Sequence, residues 1–331
     1  MAKEKKTKYT SIGGQAVLEG VMMKGAENTC LAVRKPDGSI ETKDLPNSSL
    51  TKKYPILGLP ILRGVVTFIS TLASGYKTLM LSAEMAGIDM EEDESKFDKW
   101  LAEKFGDNIM KFVTALAAVL GAGLAILLFI ALPTFLIGLL GSGVPAGVRT
   151  LLEGLMKMVI FVIYLALVSR MKEIRRVFEY HGAEHKTIFC YEHKQELKPE
   201  NVRGFKRFHP RCGTSFLLIV LVISILASSL VSWNSLAIRV LLKFLMLPVV
   251  MGLSYEVIRF AGRHDNWLTR AISAPGMWLQ RLTTNEPDDS QIEVAIAALA
   301  GVLPPEEREL YVKVNPAEPP EAPAEQDGEE K

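Results

Sequence analysis

From Phe112 to Leu140 the chain runs for 29 residues without an Asp, Glu, Lys or Arg. A stretch of about 20 apolar residues suffices to cross a bilayer, and inside hydrocarbon only a helix satisfies the backbone of a single segment. The run therefore predicts a transmembrane helix, long enough to tilt or kink, with Pro133 as the kink site. Ala117, Gly121 and Ala125 recur at four-residue spacing and predict a partner helix on that face. Three further apolar stretches follow: Leu151 to Val168, Gly213 to Trp233 and Leu236 to Ile258. The first of these carries Glu153 and Lys157, an i,i+4 pair tolerable near an interface; the last holds Arg239 and Lys243 early and Glu256 late. Four spans give the simplest count.

Loop charge sets the expected orientation. Arg170 to Arg211 contains eleven Lys or Arg and residues 1–55 contain ten, while Gly141 to Thr150 has only Arg149 and Ser232 to Ala237 has none. By the positive-inside rule both termini and the central loop face the cytoplasm. Met1 to Thr10 is polar and leads into Gly-rich sequence, so no cleaved signal peptide is expected. The formal net charge of +1 argues against nucleic acid as a partner. The partners expected are the lipid bilayer and a protein partner or second copy. Three cysteines without a CxxC pair exclude a disulfide scaffold and suit a reducing compartment.

The chain divides as follows. Residues 1–55 form a cytoplasmic Gly-rich segment, where Thr29 to Leu45 around Pro36, Asp37 and Gly38 reads as a short β-hairpin. Residues 56–88, broken by Gly58, Pro60, Arg63, Gly64, Gly75 and Lys77, read as an amphipathic interfacial helix, with a re-entrant one as the alternative. An acidic linker and lead-in, 89–111, precedes spans 1 and 2 in 112–170, a cytoplasmic His/Cys loop in 171–212, and spans 3 and 4 in 213–260. Residues 261–314 form a cytoplasmic interfacial and helical segment, and 315–331, rich in Pro, Ala and Glu, a disordered acidic tail. The fold expected is an all-α membrane protein of about four transmembrane helices with a small cytoplasmic or interfacial module holding the hairpin.

Four of the five histidines and two of the three cysteines fall between residues 181 and 212. His181-Gly182-Ala183-Glu184-His185 has the H-x-x-E-H order, which on a helix puts two imidazoles on one face with a carboxylate beside them. Two such nitrogens suit a divalent transition metal, zinc ahead of iron. Glu184 could then act as general base on water acidified by the metal. The plain alternative makes His181 and His185 interfacial residues, with Glu184 in a surface pair with Lys186 or Arg176. His209-Pro210-Arg211-Cys212 supplies a second ligand pair just before span 3, at the same cytoplasmic face as the first. Glu256, about a turn from that end of span 4, could also reach this level. If His181, His185, His209 and Cys212 all ligate, the shell is closed and structural; if three do, or Glu256 replaces one, a position stays open for water. Cys212 as a nucleophile beside His209 is a third arrangement.

The stretch from Gly13 to Gly25 lacks the G-K-[ST] ending of a phosphate loop and reads as a packed turn-strand-turn. Its functional reading brings Gln15 and Glu19 to the metal region as polar lining. Arg63 suits a carboxylate or phosphate partner, or snorkels to headgroups. Arg263 to Asn266, with His264, leads into Trp267 to Leu282, which looks like membrane-surface anchoring.

With GGQAVLEGVMMKG at Gly13 to Gly25, HGAEHKTI at His181 to Ile188 and HPRCGTSF at His209 to Phe216, the chain resembles the YqhQ-like family of bacterial multi-pass membrane proteins from about Ser11 to Leu303. That resemblance implies a membrane location and a suspected metal, since such proteins are described as a domain of unknown function or a predicted metal-dependent enzyme. The H-x-x-E-H order is also similar to the inverzincin proteases, which would make Glu184 the base and a downstream Glu, a role for Glu256, the third ligand. Gly182 inside the motif would weaken its helix by roughly 1 kcal/mol. The function expected is a metal-dependent hydrolase-type activity at the inner face; the competing class is a non-catalytic membrane scaffold, assembly or transport factor with a structural metal site or none.

Overall fold

The structure, a computed structural model, describes residues 10, 12–46, 54–88, 107–141, 143–210, 212–263 and 267–312. The acidic stretch 89–98, His264 and the tail 315–331 lie outside the described residues.

The fold is not all-α. Four strands, β1 (Gly13–Val17), β2 (Gly20–Lys24), β3 (Thr29–Arg34) and β4 (Ile40–Leu45), form an antiparallel meander in the order β1-β2-β3-β4. The hairpin expected around Pro36-Asp37-Gly38 is its second half, with Arg34 paired to Ile40 and Gly38 at φ 84°. The first half is the Gly-rich stretch, closed by Leu18 and Glu19 between Val17 and Gly20. Glu19 holds a left-handed backbone, φ 49°. Its carbonyl accepts from the Arg34 N–H at 2.8 Å, which helps hold the turn in that conformation.

Helices cover both faces of this sheet, which is why β3 shows no polar alternation. Val21, Met23, Cys30 and Ala32 join a core with Tyr180, Ala183, Ile292 and Leu299, from α5 (Lys172–Glu192) and α10 (Asp289–Val302). Val17, Leu31 and Val33 pack on the other side against Leu79, Met85 and Ala86, at and just beyond the end of α1 (Leu62–Met85). Each such aliphatic side chain contributes about 1.5–3 kcal/mol by leaving water.

The remaining elements are a 3-10 turn (Pro55–Gly58), α2 (Asp107–Ile126), a π-helical turn (Leu127–Ala131), α3 (Leu132–Gly138), α4 (Ala146–Val168), α6 (Pro199–Arg203), α7 (Thr214–Ser228), α8 (Leu236–Arg263), α9 (Trp267–Thr283) and α11 (Pro305–Tyr311). Three helical stretches are long and apolar enough to cross a membrane: Ala115–Gly138, Ala146–Val168 and Leu236–Ala261. The stretch beginning at Gly213 instead forms α7, which has 15 residues.

Several expectations change here. Pro133 lacks the N–H that would bond residue 129, and the chain absorbs this with the π-helical turn just before it. Ala117, Gly121 and Ala125 are exposed, so the partner helix expected there is absent among the described residues. Within segment 57–86, Leu62–Met85 form helix α1, which packs on α8 at one end and on the sheet at the other. Arg63 on α1 meets the Glu256 carboxylate with two bonds, one from Nε at 2.6 Å. Glu153 and Lys157 are buried among helices, and the Glu153 oxygens are held by Arg239 and Lys243.

Candidate metal centre

The H-x-x-E-H segment lies on α5, which packs against β1 and α10 and is crossed by the link leading into α10. Gly182 explains its presence in mid-helix: a Cβ there would stand 2.0 Å from the Asn285 carbonyl oxygen. Only a glycine lets the 284–288 link cross so closely, and Asn285 N–H bonds the Phe178 carbonyl at 2.8 Å. The helix propensity lost at this position is the cost of that crossing.

Three candidate ligands converge. His181, His185 and Cys212 offer ligand atoms all within 4.8 Å of one another, with His181 Nε2 at 3.2 Å from Cys212 Sγ. Each imidazole is oriented from behind. His181 Nδ1 stands 2.8 Å from the Thr283 carbonyl oxygen at the end of α9, and His185 Nδ1 stands 2.5 Å from the Arg207 carbonyl oxygen. A carbonyl accepts only, so both Nδ1 atoms carry a proton, and in the neutral imidazole each Nε2 is left with a lone pair. One S–H cannot satisfy two such acceptors. Cys212 Sγ also accepts from Thr214 Oγ1 at 3.2 Å.

These donors fit a divalent metal. Tetrahedral coordination with Zn–S near 2.3 Å and Zn–N near 2.0 Å needs N···S separations of about 3.5 Å, close to the 3.2 Å between His181 Nε2 and Cys212 Sγ. Two fixed imidazoles with one thiolate suit zinc or iron(II) rather than magnesium or calcium. Burial lowers the His185 pKa, and the neighbouring His181 adds to the effect, so its Nε2 stays available.

Glu184 points away from solvent, against β1: a Cβ on Gly14 would meet its carboxyl carbon at 2.9 Å. Burial raises its pKa, opposed by His181 and by a backbone hydrogen bond from Gly14. Its Oε2 has no hydrogen-bond partner among the described residues. It therefore makes no surface pair; Lys186 bonds Glu286 and Arg176 bonds Glu19.

The other candidates are placed apart. His209 packs its ring beside His185, with centroids 5.6 Å apart, but its Nε2 faces Glu192 Oε2 at 3.7 Å. Its backbone is clamped at both ends by Gln280, N–H to Oε1 at 2.7 Å and carbonyl to Nε2 at 2.8 Å. A fixed backbone and a carboxylate partner turn the ring from the cluster, so the four-ligand arrangement with His209 is not formed, nor is a His209–Cys212 nucleophile pair. Glu256 is committed to Arg63 instead of the cluster. Glu19 is held by Arg176 and by Tyr180 Oη at 3.2 Å, and Gln15 rests against Gly75 of α1. Neither lines the cluster directly; it is Gly14 of that stretch that reaches Glu184.

Sequence reasoning missed Thr283, Arg207, Thr214 and Gln280. The first two act through backbone carbonyls, which carry no residue-type signal, whereas Gln280 in an amphipathic helix was a buried amide open to notice.

Residues 59–305 match the family model described as "Protein of unknown function (DUF1385)". The chain is 36% identical over 294 residues, 88% of its own length and 92% of the relative's, to a Bacillus subtilis (strain 168) protein described as "Uncharacterized protein YqhQ". No solved structure matches it. On its sequence and across most of its length, the chain belongs to the YqhQ-like DUF1385 family of proteins of unknown function.

Proposed function

We propose that this is a multi-pass protein of the bacterial inner membrane, with both termini cytoplasmic, that holds a divalent metal at its inner face for hydrolase-type chemistry on a peptide or lipid-linked substrate. In this reading α7 is the fourth crossing. Its 15 residues rise about 22 Å, and the flanking turns extend it towards the hydrocarbon thickness of about 30 Å. The Lys and Arg of 170–211 then stay inside.

The observation that carries the metal reading is the pair of Nδ1-to-carbonyl contacts, which aim two Nε2 lone pairs at one thiol. Backbone carbonyls behind ligating imidazoles are how metal sites fix the tautomer. His181, His185 and Cys212 would hold the ion, and three protein ligands leave a coordination position open. A bound zinc or iron would act there as a Lewis acid and bring water towards ionisation near neutral pH. Glu184, whose buried carboxyl holds a proton above the ordinary carboxylate range, is the group on the same helix suited to taking up or returning a proton.

Glu184→Gln tests this reading. Metal retained with function lost supports catalysis; full function with metal retained sinks it. A second reading rests on where the ligands sit: Cys212 is two residues before α7 and Thr283 ends α9. There the metal only pins α5 to the membrane bundle of a scaffold or transport factor, and Glu184→Gln leaves function intact while ligand removal loosens the fold.

A further inference from the structure

A second polar centre lies at the other end of α7 from Cys212, inside the bundle. Glu153 on α4 is 1% exposed. Its Oε2 accepts from Arg239 Nη2 at 2.9 Å, and its Oε1 from Lys243 Nζ and from Thr134 Oγ1, the latter at 2.7 Å. Arg239 is fully buried, with its guanidinium 3.8 Å from the centre of the Trp233 ring. One carboxylate thus already serves two cations.

Two more basic residues lie on the same helix. Lys157, one turn along α4 and 4% exposed, forms no hydrogen bond to a described residue; the opposite charge acting on it is this same Glu153. Arg149, one turn the other way, lies 4.8 Å from the centre of the same Trp233 ring. The Nε atoms of Arg149 and Arg239 are both buried without an acceptor among the described residues. Arg239, Lys243 and Lys157 therefore share one carboxylate, and the Arg149 guanidinium lies over the same tryptophan ring, where water is scarce and unpaired charge is expensive. Guanidinium groups stay charged and present planar N–H forks that match phosphate oxygens. Trp233 also suits the headgroup level of a bilayer.

We propose that this cluster is a binding site for a phosphate-class oxyanion, supplied either as free inorganic phosphate or as the headgroup of an anionic phospholipid. The site is independent of the metal centre. The anion completes the charge balance that Glu153 leaves unfinished, with Lys157 and the two Nε–H groups as its donors.

The test is thermal unfolding of the full chain in uncharged detergent. One arm titrates inorganic phosphate at constant ionic strength against chloride; the other compares phosphatidylglycerol with phosphatidylcholine in mixed micelles. A saturable rise in Tm is expected in at least one arm: with phosphate alone for a free anion, with phosphatidylglycerol alone for a headgroup, with both where the phosphate group itself is read. Lys157→Met, which spares the contacts of Glu153 with Arg239 and Lys243, should weaken binding about tenfold or more, and Lys157→Arg should restore it. Should Lys157→Met fail to fold, Arg149→Gln carries the same comparison. No saturable rise in either arm, an equal rise with chloride, or unchanged affinity in the variant that folds would overturn the proposal.

Discussion

His181 Nε2 stands 3.2 Å from Cys212 Sγ, although 31 positions separate the two residues. Neither residue's own helix or loop creates that approach. The Thr283 carbonyl turns the imidazole from behind, while Gln280, on the same helix α9, clamps the backbone of His209 three residues before the cysteine. Helix α9 thus sets both halves of the candidate metal centre.

Detergent-purified protein should carry about one equivalent of zinc or iron, as a single three-ligand site would. His181→Ala, His185→Ala and Cys212→Ala should each lose it, whereas His209→Ala, whose ring faces Glu192, should keep it. Metal analysis of the five proteins side by side decides the matter, and loss of metal in His209→Ala would break the three-ligand assignment.

In an ordinary helix, replacing Gly182 by Ala would gain about 1 kcal/mol. Here the added methyl meets the Asn285 carbonyl oxygen at 2.0 Å, and backbone must move. Gly182→Ala is expected to destabilise the protein by about 1–3 kcal/mol and to weaken metal retention through the displaced 284–288 link. A chemical denaturation midpoint at or above that of the parent would contradict this.

Removing the negative charge of Glu153 strands Arg239 and Lys243 in the bundle. Breaking a buried ion pair from one side costs about 3–5 kcal/mol, so Glu153→Gln should lower the unfolding temperature in detergent far more than substitution of the exposed Glu41, which pairs with Lys35 at the surface. Equal, small shifts would show that the network carries little stability.

Asp288 caps α10 through a reciprocal pair of bonds, its carboxylate accepting from Gln291 N–H at 2.9 Å and its own N–H donating to Gln291 Oε1 at 3.0 Å. Partial burial pushes its pKa up, but the bonds from Ser290 and Gln291 outweigh it, and the net shift is downward. A depressed carboxylate contributes stability that is present above its unfolded pKa near 3.9 and lost as pH falls through the folded value. Asp288→Ala should cost about 0.5–2 kcal/mol at neutral pH, and the gap should narrow below pH 4. Acid denaturation curves of the two proteins test it, and a gap that widens on acidification would reverse the sign.

The apolar runs and the His/Cys spacing were legible in the sequence because they are local. Absence of charge over 29 residues forces a helix in lipid, and the spacing of His181 and His185 puts both on one helical face whatever surrounds them. The Pro36-Asp37-Gly38 turn likewise announced one hairpin. Its neighbour was hidden: β2 and β3 are buried on both faces, so their residues lack the polar alternation that marks a strand at a surface. Tertiary structure alone chose among the candidate ligands. His209 and Glu256 matched His181 in chemistry, but a Gln280 clamp beside Glu192 and an arginine on α1 engaged them first. The charges in the spans were visible as residues, yet their gathering around Glu153 depends on how α3, α4 and α8 pack. A sequence lists which groups can bind a metal or carry a charge; only packing decides which of them a competing partner reaches first.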